Sequence, residues 1–187
     1  MDQDIDRIIA EGYDEFDKSI KHLQDELSKI RAGKASPVMV DGIMVDYYGT
    51  PTPLNQVANI TASDSRTLNI QPWEKSMLAP IERAIFEANL GITPMNDGEQ
   101  VRLGVPPLTE ERRQLLVKQA KATGEDTKVG LRSIRHKLME AIKKEIKNGY
   151  PEDAGKRKEH DVQKHVDDFT EKINKLVEAK EHDILKV

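Results

Sequence analysis

Three separated stretches of this chain space their apolar residues by threes and fours, and each is too one-sided to stand alone in water. The first, residues 4–30, carries Ile5, Ile9, Phe16, Ile20, Leu23, Leu27 and Ile30. The second carries Leu116, Ala120, Thr127, Leu131, Ile134, Leu138 and Ala141, and the third Val162, Val166, Phe169, Ile173 and Leu176. Each series places one apolar stripe on a helix. Three such stripes bury one another in a three-helix bundle. At about 1.5 Å per residue the middle helix reaches on the order of 60 Å, so the bundle reads as a rod with a compact lobe at one end. Its punctuation agrees. Gly33 can end the first helix, and Pro37 keeps Ser36 out of the helical region. In "VPPLTEERR" Thr109 suits an N-cap, and Glu110 and Glu111 suit the positive end of a helix dipole. Asn148-Gly149 and Tyr150-Pro151 separate the second helix from the third.

Between the first and second stripes the period falls to two. "GIMVDYYG" alternates Ile43, Val45 and Tyr47 against Met44, Asp46 and Tyr48, and "RTLNIQPW" alternates Leu68 and Ile70, which makes both half-buried strands. One helical pattern follows, with Met77, Leu78, Ile81, Ile85 and Ala88 on one face. A turn at Asn96-Asp97-Gly98 then leads into a strand through Val101 and Leu103. The expected fold is α+β in two domains. Domain I, residues 1–30 and 106–187, is the three-helix bundle, and domain II, residues 31–105, is an α/β insertion. The chain crosses between them near 31–37 and 104–107, where Gly33, Pro37, Gly104, Pro106 and Pro107 stand without a long apolar series. Those five residues are the expected hinge.

A formal net charge of −4 conceals a segregation. Residues 1–30 hold 4 basic and 9 acidic side chains, whereas residues 106–150 hold 11 and 6. The basic excess lies along one line. With Ile134 at zero on a helical wheel the apolar series falls within roughly 60°, while Lys121, Lys128, Arg132 and Arg135 fall at roughly 100–160°. Lys118 continues this stripe and Glu125 interrupts it. A solvated helix face mixes signs to form i,i+4 pairs, and pairing with an acidic neighbouring helix is worth only about 0–1 kcal/mol per exposed pair. A stripe that excludes acids is better explained by a polyanionic partner. Without a helix-turn-helix, zinc spacing or an aromatic RNA-binding strand, that partner would be read through its phosphates and shape. An adaptor whose basic face meets an acidic protein is the competing class.

Other chemistry is thin. The chain has no cysteine, which suits a reducing cytoplasm, and no apolar run of the length that spans a membrane. Aromatic residues make up only 4%, which disfavours an aromatic-rich sandwich or barrel. His160 and His165, five apart, point about 140° away from each other on a helix, and no metal site is expected. "RAGKAS" contains Gly33-Lys34 but fails the phosphate-loop pattern at Ser28 and Ala35. No catalytic residue, cofactor or nucleotide site is expected, so any work must draw on binding energy or on a partner that hydrolyses nucleotide.

The segments "SKIRAGKASP", "VDYYGTPTPLNQVA", "SRTLNIQPW", "NLGITP", "PPLTEERR", "LRSIR" and "DVQK", in this order, resemble the bacterial ribosome recycling factor family over essentially the whole chain. The resemblance implies a two-domain, L-shaped molecule of about tRNA size, a cytoplasmic monomer. It implies binding to the large subunit of the post-termination ribosome. With elongation factor G, which brings the GTP, the subunits are then separated and messenger and tRNA leave. Its rRNA contacts carry over to Arg31, Arg112, Arg113, Arg132 and Arg135, with Lys121 and Lys128 extending the stripe. Two positions depart from the family pattern: Lys34 stands where Arg is usual, and His136 follows Arg135 where a second Arg is usual. Lys34 meets a phosphate without the bidentate fork of Arg.

Overall fold

The structure is a computed structural model and describes residues 2–186. The described residues form two compact units. One comprises residues 2–32 with 110–186, and the other is Gly33–Thr109.

In the first unit α1 (Asp2–Ser28), α3 (Glu110–Lys147) and α4 (Glu152–Leu185) pack along their apolar stripes. Ile5, Phe16, Leu23 and Leu27 of α1 are buried, and Ile30 just beyond its end is buried with them. Thr127, Ile134 and Ala141, expected at the centre of the α3 seam, are only half-buried. Val117, Gly124 and Ile142 are buried instead, so the seam is centred about 60° round the helix from Ile134, on the side of Leu131. On α4, likewise, Leu176 is half-buried and Val177 is buried.

Gly124 is in that seam because there is no room for anything larger. A Cβ there would lie 2.5 Å from Cγ2 of Val177, a β-branched side chain that cannot turn away cheaply. At Gly130, six residues later, a Cβ would meet nothing within 4 Å. The two glycines therefore predict opposite outcomes on mutation to Ala. Gly130→Ala is expected to stabilise by about 0.5–1 kcal/mol through helix propensity. Gly124→Ala is expected to destabilise by about 1–2 kcal/mol, because the overpacking outweighs the same gain. Chemical denaturation of both variants checks the signs.

Aromatic side chains gather where α1 meets α4. The His165 imidazole stacks on Tyr13 with centroids 3.7 Å apart and an interplanar angle of 15°. Phe16 and Phe169 lie 5.6 and 4.8 Å from the same ring. Burial holds the His165 pKa below its ordinary value; Asp17 and Asp168 pull it up, and Lys172 pushes it down. The folded protein thus resists a proton that the unfolded chain accepts. The stability this neutral ring contributes is present above the unfolded pKa and is lost as pH falls through the folded one. Urea denaturation from about pH 7 to pH 5 should show a decline, and His165→Gln should remove part of it.

The second unit is an α/β fold. A four-stranded antiparallel sheet has the order β3 (Ala58–Asp64), β4 (Thr67–Pro72), β6 (Val101–Gly104), β5 (Pro94–Asn96). A separate two-stranded ribbon pairs β1 (Met44–Tyr47) with β2 (Thr50–Pro53). The turn between them places Tyr48 at φ 49° and Gly49 at φ 87°, the two positive values a type I′ hairpin requires. Val45, Leu54, Leu68, Ile70, Val101 and Leu103 pack with Ile81 and Ile85 of α2 (Leu78–Glu87) into one core. β2, β3 and β5 are additions to the expected strands. β2 reads Thr-Pro-Thr-Pro, and prolines give no strand signal although a two-stranded ribbon tolerates them.

The chain enters and leaves this unit side by side. Gly33 sits at φ 74°, and a Cβ on it would lie 2.6 Å from Cγ of Leu108. Pro37 begins a short 3₁₀ turn capped by Ser36, whose side chain accepts from the Val38 N–H. Gly104 ends β6, and Pro106 and Pro107 are exposed.

Candidate nucleic-acid interface

The 38 residues of α3 form an unbroken helix about 57 Å long. It projects Lys128, Arg132 and Arg135 from one side, at spacings of four and three. They do not stand on a flat face. Together with Leu131 they form one wall of a groove whose other wall is Gln163, Val166 and Thr170 of α4. Gln163 and Thr170 are seven residues apart on α4 and so share a face, with the buried Val166 between them as the floor.

The cations in this groove differ in how they are held. Lys128 Nζ lies 3.2 Å from Glu125 on its own helix, so the one acid in the stripe ties back the nearest lysine. Arg135 is half-buried and donates from Nε to Oε1 of Gln163 at 2.6 Å. Arg132 is exposed and has no hydrogen bond or ion pair to any of the described residues. Lys118 and Lys121, further towards the N-terminus of α3, are exposed and likewise without a partner among the described residues. The acidic surplus of α1 does not neutralise the stripe. Among the described residues an α1–α3 ion pair joins Glu15 to Lys137, at 3.5 Å, and Lys137 is not one of the stripe cations.

The remaining expected contacts lie elsewhere. Arg112 and Arg113 are about 30 Å from Arg132 along the helix axis, at 1.5 Å per residue. Arg112 is exposed, whereas Arg113 is half-buried and its Nε is withdrawn from solvent without a hydrogen-bond partner. On the wheel Arg113 falls about 60° from Ile134, in line with the buried Leu131, which accounts for its burial. Arg31 is exposed just past the end of α1, Lys34 is half-buried, and His136 is exposed beside Arg135. The structure therefore brings Lys128, Arg132 and Arg135 into one groove, continues it with Lys121, and keeps Arg31, Arg112 and Arg113 separate from it. Gln163 and Thr170 are the groove residues that charge patterning alone could not find, because neither carries a charge and α4 has a mixed surface.

Among the described residues no three His, Cys, Asp or Glu side chains converge where a metal ion could be held. No helix among them is long and apolar enough to cross a membrane.

Known proteins match this chain over nearly its whole length. The family described as Ribosome recycling factor matches residues 23–185. The Ribosome-recycling factor of Porphyromonas gingivalis is 49% identical over 185 residues, covering 98% of this chain and all of its own. That of Cytophaga hutchinsonii is 50% identical over 185 residues, covering 99% of this chain and all of its own. Among solved structures, a solution structure of the ribosome recycling factor superposes with a TM-score of 0.77 at 34% identity, covering 98% of each chain. A second is the Thermus thermophilus recycling factor, described together with Escherichia coli elongation factor G bound to the E. coli post-termination complex. It gives a TM-score of 0.63 at 39% identity, covering 97% of this chain and 98% of its own. With the family model matching residues 23–185, identity near one half over nearly the full length and the fold shared with solved members, this chain belongs to the ribosome recycling factor family.

Proposed function

We propose that this protein recycles ribosomes in the cytoplasm, as a monomer that binds the large subunit of the post-termination ribosome and, with elongation factor G and GTP, drives its dissociation so that mRNA and tRNA leave. Family membership carries the reading, and the neighbour described with elongation factor G on a post-termination complex supports the choice of partner. The groove of Lys128, Arg132 and Arg135 is the proposed rRNA contact, continued by Lys121, with Arg31, Arg112 and Arg113 as outlying contacts. The guanidinium of Arg132 and the Nη donors of Arg135 on one long helix suit phosphates at fixed spacing, and they need no base to read.

The chain's part is to bind and to change which state of the ribosome is favoured. A factor that hydrolyses nothing shifts an equilibrium only by its differential affinity for the two states. Repeated, rapid splitting therefore needs the GTPase partner. The crossings around Gly33, Pro37, Gly104, Pro106 and Pro107 are the proposed hinge through which that partner moves the inserted domain II, residues 31–105, while domain I, residues 1–30 and 106–187, stays on the rRNA.

Light scattering of post-termination ribosomes tests this. Splitting is expected when the protein, elongation factor G and GTP are all present. Omitting the protein, omitting the factor or substituting a non-hydrolysable GTP analogue should each reduce it to background. Full-rate splitting with the analogue would contradict the division of labour.

A further inference from the structure

We propose that Gln163 is a positioning residue for Arg135, fixed in turn by Asp167, and that this pair commits Arg135 to meet a phosphate end-on through Nη1 and Nη2. The inference rests on the reading of the α3–α4 groove as the rRNA-facing surface.

Three side chains on two helices form a directed chain. Arg135 Nε donates to Gln163 Oε1 at 2.6 Å, and Gln163 Nε2 donates to Asp167 Oδ1 at 2.9 Å. The second bond fixes the direction of the first. If the amide were turned over, its NH₂ would face the Arg135 N–H and its oxygen would face a carboxylate, so both contacts would become repulsive. Asp167, one turn further along α4, thus decides that Gln163 offers an acceptor to the arginine.

The consequence for Arg135 follows from the shape of a guanidinium. It can grip a phosphate side-on, through Nε and one Nη, or end-on, through both Nη groups. With Nε already donating to Gln163, the side-on edge is spent and the end-on edge remains. The side chain is also half-buried and tethered, so it loses less rotamer freedom on binding than a free arginine does. Arg132, with no partner among the described residues, keeps both modes.

The chemistry also explains why an amide serves here and a carboxylate would not. A glutamate at 163 would form an ion pair with Arg135 and offset the charge that an incoming phosphate needs. It would also place a second carboxylate within hydrogen-bonding distance of Asp167. The neutral amide orients the guanidinium without consuming its charge, and it keeps Asp167 one side chain removed from the anion. Gln163 belongs to the segment "DVQK", which otherwise has no assigned task.

The test measures affinity for purified large ribosomal subunits with Gln163→Leu, Arg135→Ala and the double variant, each over a salt series. Gln163→Leu is expected to weaken binding about fivefold, the scale of one net hydrogen bond, and to add nothing in the Arg135→Ala background. Because Gln163 carries no charge, its loss should leave the salt slope as in the native protein, whereas Arg135→Ala should reduce it by about 0.7–0.9. Gln163→Glu should weaken binding more than Gln163→Leu. Independently of any ribosome, the Arg135 Nε–H resonance of the free protein should be protected from solvent exchange and should lose that protection in Gln163→Leu. Native-like binding by Gln163→Leu, an equal further loss in the Arg135→Ala background, or an unprotected Nε–H would overturn the proposal. If Arg135→Ala binds like the native protein, the rRNA reading of Arg135 fails instead, and the exchange measurement still decides whether Gln163 holds it.

Discussion

Arg132→Ala is expected to lower affinity for the large ribosomal subunit by about ten- to a hundredfold. Arg132 is exposed in the α3–α4 groove with no partner among the described residues, so its full donor set is available to a phosphate of the proposed rRNA contact. A hydrogen bond to a charged group contributes about 1.5–3 kcal/mol, and each 1.4 kcal/mol is a factor of ten. Nothing in the fold opposes the change, since the side chain supports no packing and Ala is a better helix former. Lys143→Ala and Lys144→Ala provide the control. Both residues are exposed on the last turns of α3, beyond the groove, and Lys143 already lies 3.8 Å from Glu140. They should cost less than about threefold, the scale of an exposed charge. Equilibrium binding to purified subunits separates the two classes.

Gly33→Ala is expected to lower the rate of elongation-factor-dependent splitting about tenfold while leaving subunit binding within about twofold, because Gly33 stands in the proposed hinge and hinge positions act on conformational steps. Gly33 sits at φ 74°, where an L side chain costs about 1–2 kcal/mol, and the new Cβ would lie 2.6 Å from Leu108 Cγ. Proline is not a usable stiffener here, since its ring holds φ near −65° and would force the crossing apart. Leu108→Ala removes the steric part of the conflict. The double variant Gly33→Ala/Leu108→Ala should therefore recover part of the splitting rate, leaving the backbone part. Stopped-flow splitting and equilibrium binding on the same preparations distinguish a hinge defect from a binding defect. Equal losses in both would remove the hinge from the mechanism.

How much of this was legible in the sequence depended on the physical signal behind each element. The three long helices announce themselves because Phe16, Leu23, Leu131, Leu138, Val162 and Phe169 repeat with helical spacing over many turns. The alternation of β1 and β4 is as plain, with Val45, Leu68 and Ile70 fully buried. β2 and β5 are invisible because one is half proline and the other is three residues long; only their partners in the ribbon and sheet define them. Gly124 gives no apolar signal at all, yet it is buried because Val177 fills the space where its side chain would be. In the groove, charge spacing led to Lys128, Arg132 and Arg135 directly. Arg113 was expected as a contact only from the family resemblance, and its place on the core side of α3 leaves it half-buried. Gln163 could not be found by charge, since its task is to orient one.

The salt dependence of binding to purified large subunits, compared between the native protein and Arg132→Ala, most directly tests whether the α3 stripe meets rRNA phosphates. Native affinity should fall linearly on a log–log plot, by about 0.7–0.9 for each phosphate neutralised, and the Arg132→Ala line should be shallower by about one such step. A native affinity indifferent to salt, or an Arg132→Ala line parallel to the native one, would contradict it.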